Sequence, residues 1–250
     1  MSLLRISLRR VPVLMMMLQL VGNALLVLLG FAWLHIPDSH IWELIVSVLL
    51  GVLIVLGFLW MHATTIRRTR APLQFSAKWL SILLLAAWLL VNHVLGAFAE
   101  HINNNADGRA GYWNSQLSAH MRVFFTYSRL LDWQNDVVVF LIYFLIPALL
   151  FPFLVETVAC GVKGGAWLNA LRCLFRLKYW VVTVIALAIV HFAGGWILGW
   201  HPLHTVSGEL ISVAFRVAVV YVIFLLAYFA ALGTASELLE RPRTVSSVRN

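Results

Sequence analysis

Six apolar runs divide this chain, and its lysines and arginines fall almost entirely in alternate connections between them. The runs cover 11–34, 41–61, 79–98, 137–155, 180–200 and 210–235. Each approaches or exceeds the roughly 20 residues a helix needs to cross a hydrocarbon layer about 30 Å thick. In lipid the backbone must satisfy its own hydrogen bonds, so an open strand is excluded and helices are required. The expected fold is all-α, a polytopic six-transmembrane-helix bundle. Composition agrees, because 62% hydrophobic and 11% charged residues with a mean hydropathy of +0.91 do not describe a water-soluble domain.

The basic residues also predict orientation. Arg5, Arg9 and Arg10 precede the first run; Arg67, Arg68, Arg70 and Lys78 join the second to the third; Lys163, Arg172, Arg176 and Lys178 join the fourth to the fifth; Arg241, Arg243 and Arg249 follow the sixth. Only Arg109, Arg122, Arg129 and Arg216 of the 18 lie elsewhere. The positive-inside rule then places both termini in the cytoplasm, and a bacterial cytoplasmic (inner) membrane is the expected location. Seven acids, Asp38, Glu43, Glu100, Asp107, Asp132, Asp136 and Glu209, fall on the other side. The net charge of +8 reads as attraction to anionic lipid heads, with no nucleic acid required. The first run reads as a retained signal anchor, since it is long and lacks a small-x-small cleavage site. Cys160 and Cys173 fall on the cytoplasmic side and are expected to be reduced.

Interfacial amphipathic helices are expected on both faces. The outer loop 99–135 opens with turn-prone residues and continues as an expected helix over 115–133, where Leu117, Met121, Phe124, Tyr127 and Leu131 recur at helical spacing opposite Ser118, Arg122 and Arg129. On the inside, 165–178 places Leu168, Leu171 and Phe175 on one face and Asn169, Arg172 and Arg176 on the other. The stretch 68–79 has a similar basic and apolar mix.

The run Ile146-Pro147-Ala148-Leu149-Leu150, followed by Glu156, Gly161, Gly164, Gly165, Ala166, the segment Ala170-Leu171-Arg172-Cys173-Leu174-Phe175-Arg176-Leu177, and Tyr179-Trp180, resembles bacterial six-span proteins of the YciC type and the membrane domain of glycerophosphodiester phosphodiesterases. The resemblance covers about a third of the chain. It implies a helical membrane module without catalytic residues of its own.

Polar residues within the runs are the candidates for function, because lipid makes them costly. Counted at about 1.5 Å per residue, Asn23, His93, His191 and Arg216 fall near one depth, with Asn92 and Tyr143 close to the same layer. Three readings stay open. His93 and His191 can hold a b-type haem from both faces, Arg216 meeting a propionate. Arg216 with Asn23, Asn92 and Tyr143 can bind an anionic substrate head. Or the group supplies interhelical hydrogen bonds worth about 1 kcal/mol or less each, with Arg216 snorkelling outward.

His201, His204, His101 and Glu100 form a looser candidate set for zinc or copper, against the plainer reading of solvated interfacial histidines. Gly195 and Gly199 suggest close approach of the fifth span to a neighbour, and Pro147 and Pro152 should kink the fourth. Most tryptophans lie near span ends, as interfacial anchors do. No catalytic motif is present. The expected role is therefore a non-enzymatic module, permease-like or lipid-facing, or a subunit of a membrane complex, with membrane lipids, other membrane subunits or further copies of itself as partners. The alternatives are a redox membrane protein in which His93 and His191 hold a b-type haem or a metal, and a purely structural partner subunit.

Overall fold

The computed structural model describes residues 2–37, 39–70, 78–162, 166–200 and 206–240. Among them every regular element is helical: α1 (Ser2–Arg10), α2 (Val13–Leu34), α3 (Ile41–Arg70), α4 (Trp79–Asn104), α5 (Ala106–Gln116), α6 (Ala119–Phe124), α7 (Tyr127–Val139), a π-helical stretch (Phe140–Leu145), α8 (Ile146–Cys160), α9 (Ala166–Leu174), α10 (Leu177–Leu198) and α11 (Val206–Leu239). Six helical segments are long and apolar enough to cross a membrane: Val13–Leu34, Ile41–Arg70, Trp79–Asn104, Tyr127–Cys160, Leu177–Leu198 and Ile211–Leu239.

Several boundaries differ from those the hydropathy implies, because hydropathy marks where lipid ends and not where a helix ends. α3 continues nine residues past Met61. No glycine or proline interrupts the sequence there before Pro72, and Thr65 and Thr69 return their hydroxyls to the carbonyls of Met61 and Thr65 at 2.9 and 2.8 Å. The fourth span begins at Tyr127, ten residues earlier than expected. Its π stretch lies immediately before Pro147, and the shifted register falls where that proline would otherwise clash with the carbonyl four residues back. α8 ends on Gly161, whose φ of +82° favours glycine and whose N–H donates to Thr157 O at 2.8 Å.

The described residues divide into two compact units. One comprises Met1–Leu85 and Pro152–Asn250. Within it α2 and α3 pair antiparallel, their register marked by Gln19 against Thr65, Leu26 against Gly57 and Trp33 against Ser47. α10 and α11 pair likewise, with Lys178 opposite Glu237 and Gly194 opposite Val220. Val11, Met15, Leu225 and Phe229 form a buried cluster between the first helices and α11. α1 lies on α11 so closely that Gly233 is required: a Cβ there would overlap the Ser7 carbonyl. Beside it Thr234 Oγ1 donates to Ser7 Oγ at 2.7 Å.

The other unit is Ala86–Phe151. The single helix expected over 115–133 is instead α5, α6 and α7. Leu117 and Ser118, then Phe125 and Thr126, leave the helical region, and Thr126 caps α7 by accepting from Arg129 N at 3.4 Å. The Thr126 hydroxyl thus offers the backbone a local alternative to continuing the helix, which periodicity alone does not reveal, whereas Ser118 makes no side-chain cap bond. α5 packs on α7 through Tyr127 OH to Asp107 at 2.8 Å and Arg109 Nε to Gln134 at 3.1 Å.

Candidate functional site

The four arginines outside the basic connections share one local role. Arg109 donates to Ile102 O at 2.5 Å, in the last turn of α4. Arg122 donates to Ser115 O and Leu117 O at 2.7 and 2.9 Å, at the end of α5. Arg129 donates to Phe124 O at 2.9 Å, at the end of α6. Arg216 donates to Leu198 O at 2.9 Å and to Trp200 O, at the end of α10. Each meets carbonyls at or just beyond a helix terminus and the negative end of its dipole.

Arg216 is also 2.5 Å from Glu209 and reaches Ser212 O at 3.3 Å. Its side chain therefore extends to the far end of α10, seven residues beyond His191, or about 10 Å along that helix. Asn23 lies in a seam between α2, α3 and α11: it donates to Gln19 Oε1 at 3.1 Å, while Gln19 Nε2 donates to Thr65 Oγ1 at 2.8 Å and Tyr221 OH donates to Gln19 O at 3.2 Å. Asn92 returns its amide to Trp88 O in its own helix at 3.0 Å. Tyr143 is exposed, its hydroxyl beside Gly96. His93 is exposed on α4 in the 86–151 unit. His191 is exposed on α10 in the other unit, its ring edge-on to Phe192 at 5.1 Å.

His101 and Glu100 are exposed near the end of α4, and His201 and His204 lie outside the described residues. Among the described residues no three histidine, cysteine or carboxylate side chains gather in a way that could hold a metal ion. It is Gly194, rather than Gly195, that faces a neighbouring helix; a Cβ at Gly195 would meet nothing within 4 Å.

The most highly built polar region lies at the basic end of the first unit. Its three acids each have a basic partner on another helix. Glu156, at the end of α8, accepts from Arg70 Nε at 3.0 Å and from Asn169 Nδ2 of α9 at 3.2 Å. Arg70 also donates to Leu239 O at 2.8 Å, closing the end of α11. Lys178 meets both oxygens of Glu237, at 2.6 and 2.7 Å. Arg10 pairs with Glu240. A further link runs from Arg67 Nη1 to Ser81 Oγ at 3.0 Å and from Ser81 Oγ to Val158 O at 2.7 Å.

This region fixes α9 as an edge element. Ala170 and Cys173 are fully buried against the unit, and Asn169 reaches Glu156. Leu168, Leu171 and Phe175 turn away from it, Phe175 being 86% exposed. Burial pushes the Cys173 thiol up to about 12, with Glu156 adding to the effect, so it remains protonated and poorly nucleophilic. Both cysteines are free.

Hydropathy reading missed Gln19, Thr65 and His62. His62 packs between Phe58 and Tyr228, with ring centroids at 4.2 and 5.8 Å. It lies one residue past the apolar run, where a helix continuing beyond Met61 would have placed it inside the bundle.

Beside α10 and α11 the unit opens a groove of about 230 Å³ lined by Leu8, Ala186, Ile189, Ile223, Leu226, Ala227 and Ala230. Every lining residue is aliphatic.

Six apolar spans, a surface of exposed aliphatic and aromatic side chains along them and charge confined near their ends define an integral, multi-pass α-helical membrane protein. No family model, no curated protein and no solved structure matches the chain.

Proposed function

We propose that the protein is a non-enzymatic, lipid-facing membrane module whose basic end lies in the cytoplasm and whose groove between α1, α10 and α11 holds a phospholipid acyl chain. The aliphatic groove carries this reading, since it gives hydrocarbon an apolar surface and offers a polar substrate no hydrogen-bond partner. Two further observations support it. The outward face of α9, with Leu168, Leu171 and Phe175, suits the membrane interface. Arg9, exposed and adjacent to the groove residue Leu8, supplies the charge an anionic headgroup would meet.

A photo-crosslinking residue placed at Ile223 in cells tests this reading. The expected product is a phospholipid adduct. Capture of a discrete protein band, with no lipid adduct, would replace the lipid-facing role with that of a subunit in a complex.

A further inference from the structure

We propose that Arg67 and Thr64, one turn apart on α3, bind a phosphate group at the basic end of the first unit. Arg67 is only 5% exposed, yet a single hydrogen bond, from Nη1 to Ser81 Oγ at 3.0 Å, is what the described residues give its guanidinium. Its Nε is buried with no partner. A buried guanidinium in that state is costly, because its charge has lost water without gaining a counter-ion.

No carboxylate of that end remains to supply one. Glu156 is engaged by Arg70 and Asn169, Glu237 by Lys178 and Glu240 by Arg10. The other seven acids of the chain belong to the opposite connections. Thr64 adds an independent observation. Thr65 and Thr69 on the same helix satisfy their hydroxyls on the carbonyl four residues back, whereas Thr64 Oγ1 is buried and has no partner among the described residues. Residues three apart are neighbours on a helix face, so the two side chains leave α3 from adjacent positions, and among the described residues Thr64 Oγ1 and Arg67 Nε each lack an acceptor.

Phosphate fits this pair better than carboxylate. It offers several strong acceptor oxygens, enough for Nε, the remaining terminal nitrogen and a hydroxyl at once, and arginine favours such forked contacts. The phosphate of an anionic phospholipid headgroup and free inorganic phosphate share this chemistry. The site is separate from the acyl-chain groove, and no groove residue belongs to it.

The test is thermal unfolding of the full chain, purified and delipidated in detergent, with inorganic phosphate or phosphatidylglycerol added and phosphatidylcholine as the comparison. A rise in Tm with inorganic phosphate identifies a free-phosphate site. A rise with phosphatidylglycerol beyond that with phosphatidylcholine, and none with inorganic phosphate, identifies a headgroup site. Either gain should require roughly tenfold or more added ligand in Arg67→Met, the loss expected for a charge-assisted contact. Without ligand, Arg67→Met should match or exceed the wild type in Tm, since it removes an uncompensated buried charge. Thr64→Val, which keeps the charge and side-chain shape, should weaken the same gain and serves if Arg67→Met does not fold. No gain from either phosphate, or a gain equal in wild type and Thr64→Val, would overturn the proposal. A groove variant such as Ala227→Trp should leave the inorganic-phosphate response unchanged, which separates failure of this site from failure of the lipid reading.

Discussion

Arg70 and Glu156 meet at 3.0 Å although 86 residues separate them in the chain, and the same guanidinium closes the end of α11 through Leu239 O at 2.8 Å. One side chain thus joins α3, α8 and α11, while Asn169 brings α9 onto the same carboxylate. With side-chain exposures of 13% and 4%, the pair is well shielded. Buried pairs stabilise little beyond an apolar replacement, but removing one member strands the other. Glu156→Ala should therefore cost about 3–5 kcal/mol, read as a fall in unfolding temperature in detergent. The double variant Arg70→Met/Glu156→Leu should recover most of it. If Glu156→Ala were as stable as the wild type, the network would not be what holds these four helices.

Arg216 offers a different balance, because it combines a carboxylate with helix-end carbonyls. Arg216→Ala should lose about 2 kcal/mol, and Arg216→Lys should recover only part, since a lysine supplies charge without the fork that spans Leu198 O, Trp200 O and Glu209. Equal stability of the lysine variant and wild type would show that charge alone suffices.

The glycines of unit one predict a sharp contrast. Gly233→Val must push α1 away from α11, because the new Cβ meets backbone that cannot rotate aside. Overpacking of this kind costs about 1–3 kcal/mol, and a cysteine introduced at Ser7 should become accessible to a maleimide. Gly195→Ala meets open space and should be neutral. A protected cysteine at position 7 in the Gly233→Val protein would contradict the packing of α1.

Cys173 predicts a pH dependence. Its folded pKa is raised from 9.0 to about 12, so the native state keeps a proton that the unfolded chain releases. The resulting contribution to stability is fully present below about pH 9 and is lost as pH rises towards about 12. Cys160, which is exposed, should alkylate in the folded protein at pH 8, and Cys173 only on unfolding. Equal labelling rates at the two sites would remove Cys173 from the interior.

The six spans were legible in the sequence because lipid imposes a length and polarity that few other folds share. Helical phase and helix ends were less so. Met61 ends an apolar run but not a helix, which hid His62 and gave no sign that Arg67 is buried. Gly194 and Gly195 are indistinguishable by composition, and only the rotation of α10 decides that the first faces Val220. Arg216 was visible as an intramembrane charge, but the carbonyls it caps lie in the end of another helix. Three- and four-residue periodicity runs straight across the extended backbone at Leu117 and Ser118 and across the break at Thr126, whose hydroxyl caps α7.

Native mass spectrometry of the full chain, released gently from detergent, tests most directly whether the groove of the first unit holds a phospholipid. The wild type and Gly195→Ala should retain a phospholipid adduct at activation energies that strip detergent, and Ala227→Trp, which fills the groove, should lose it. Wild-type protein bare of lipid, or an adduct that survives unchanged in a folded Ala227→Trp, would contradict the lipid-facing role.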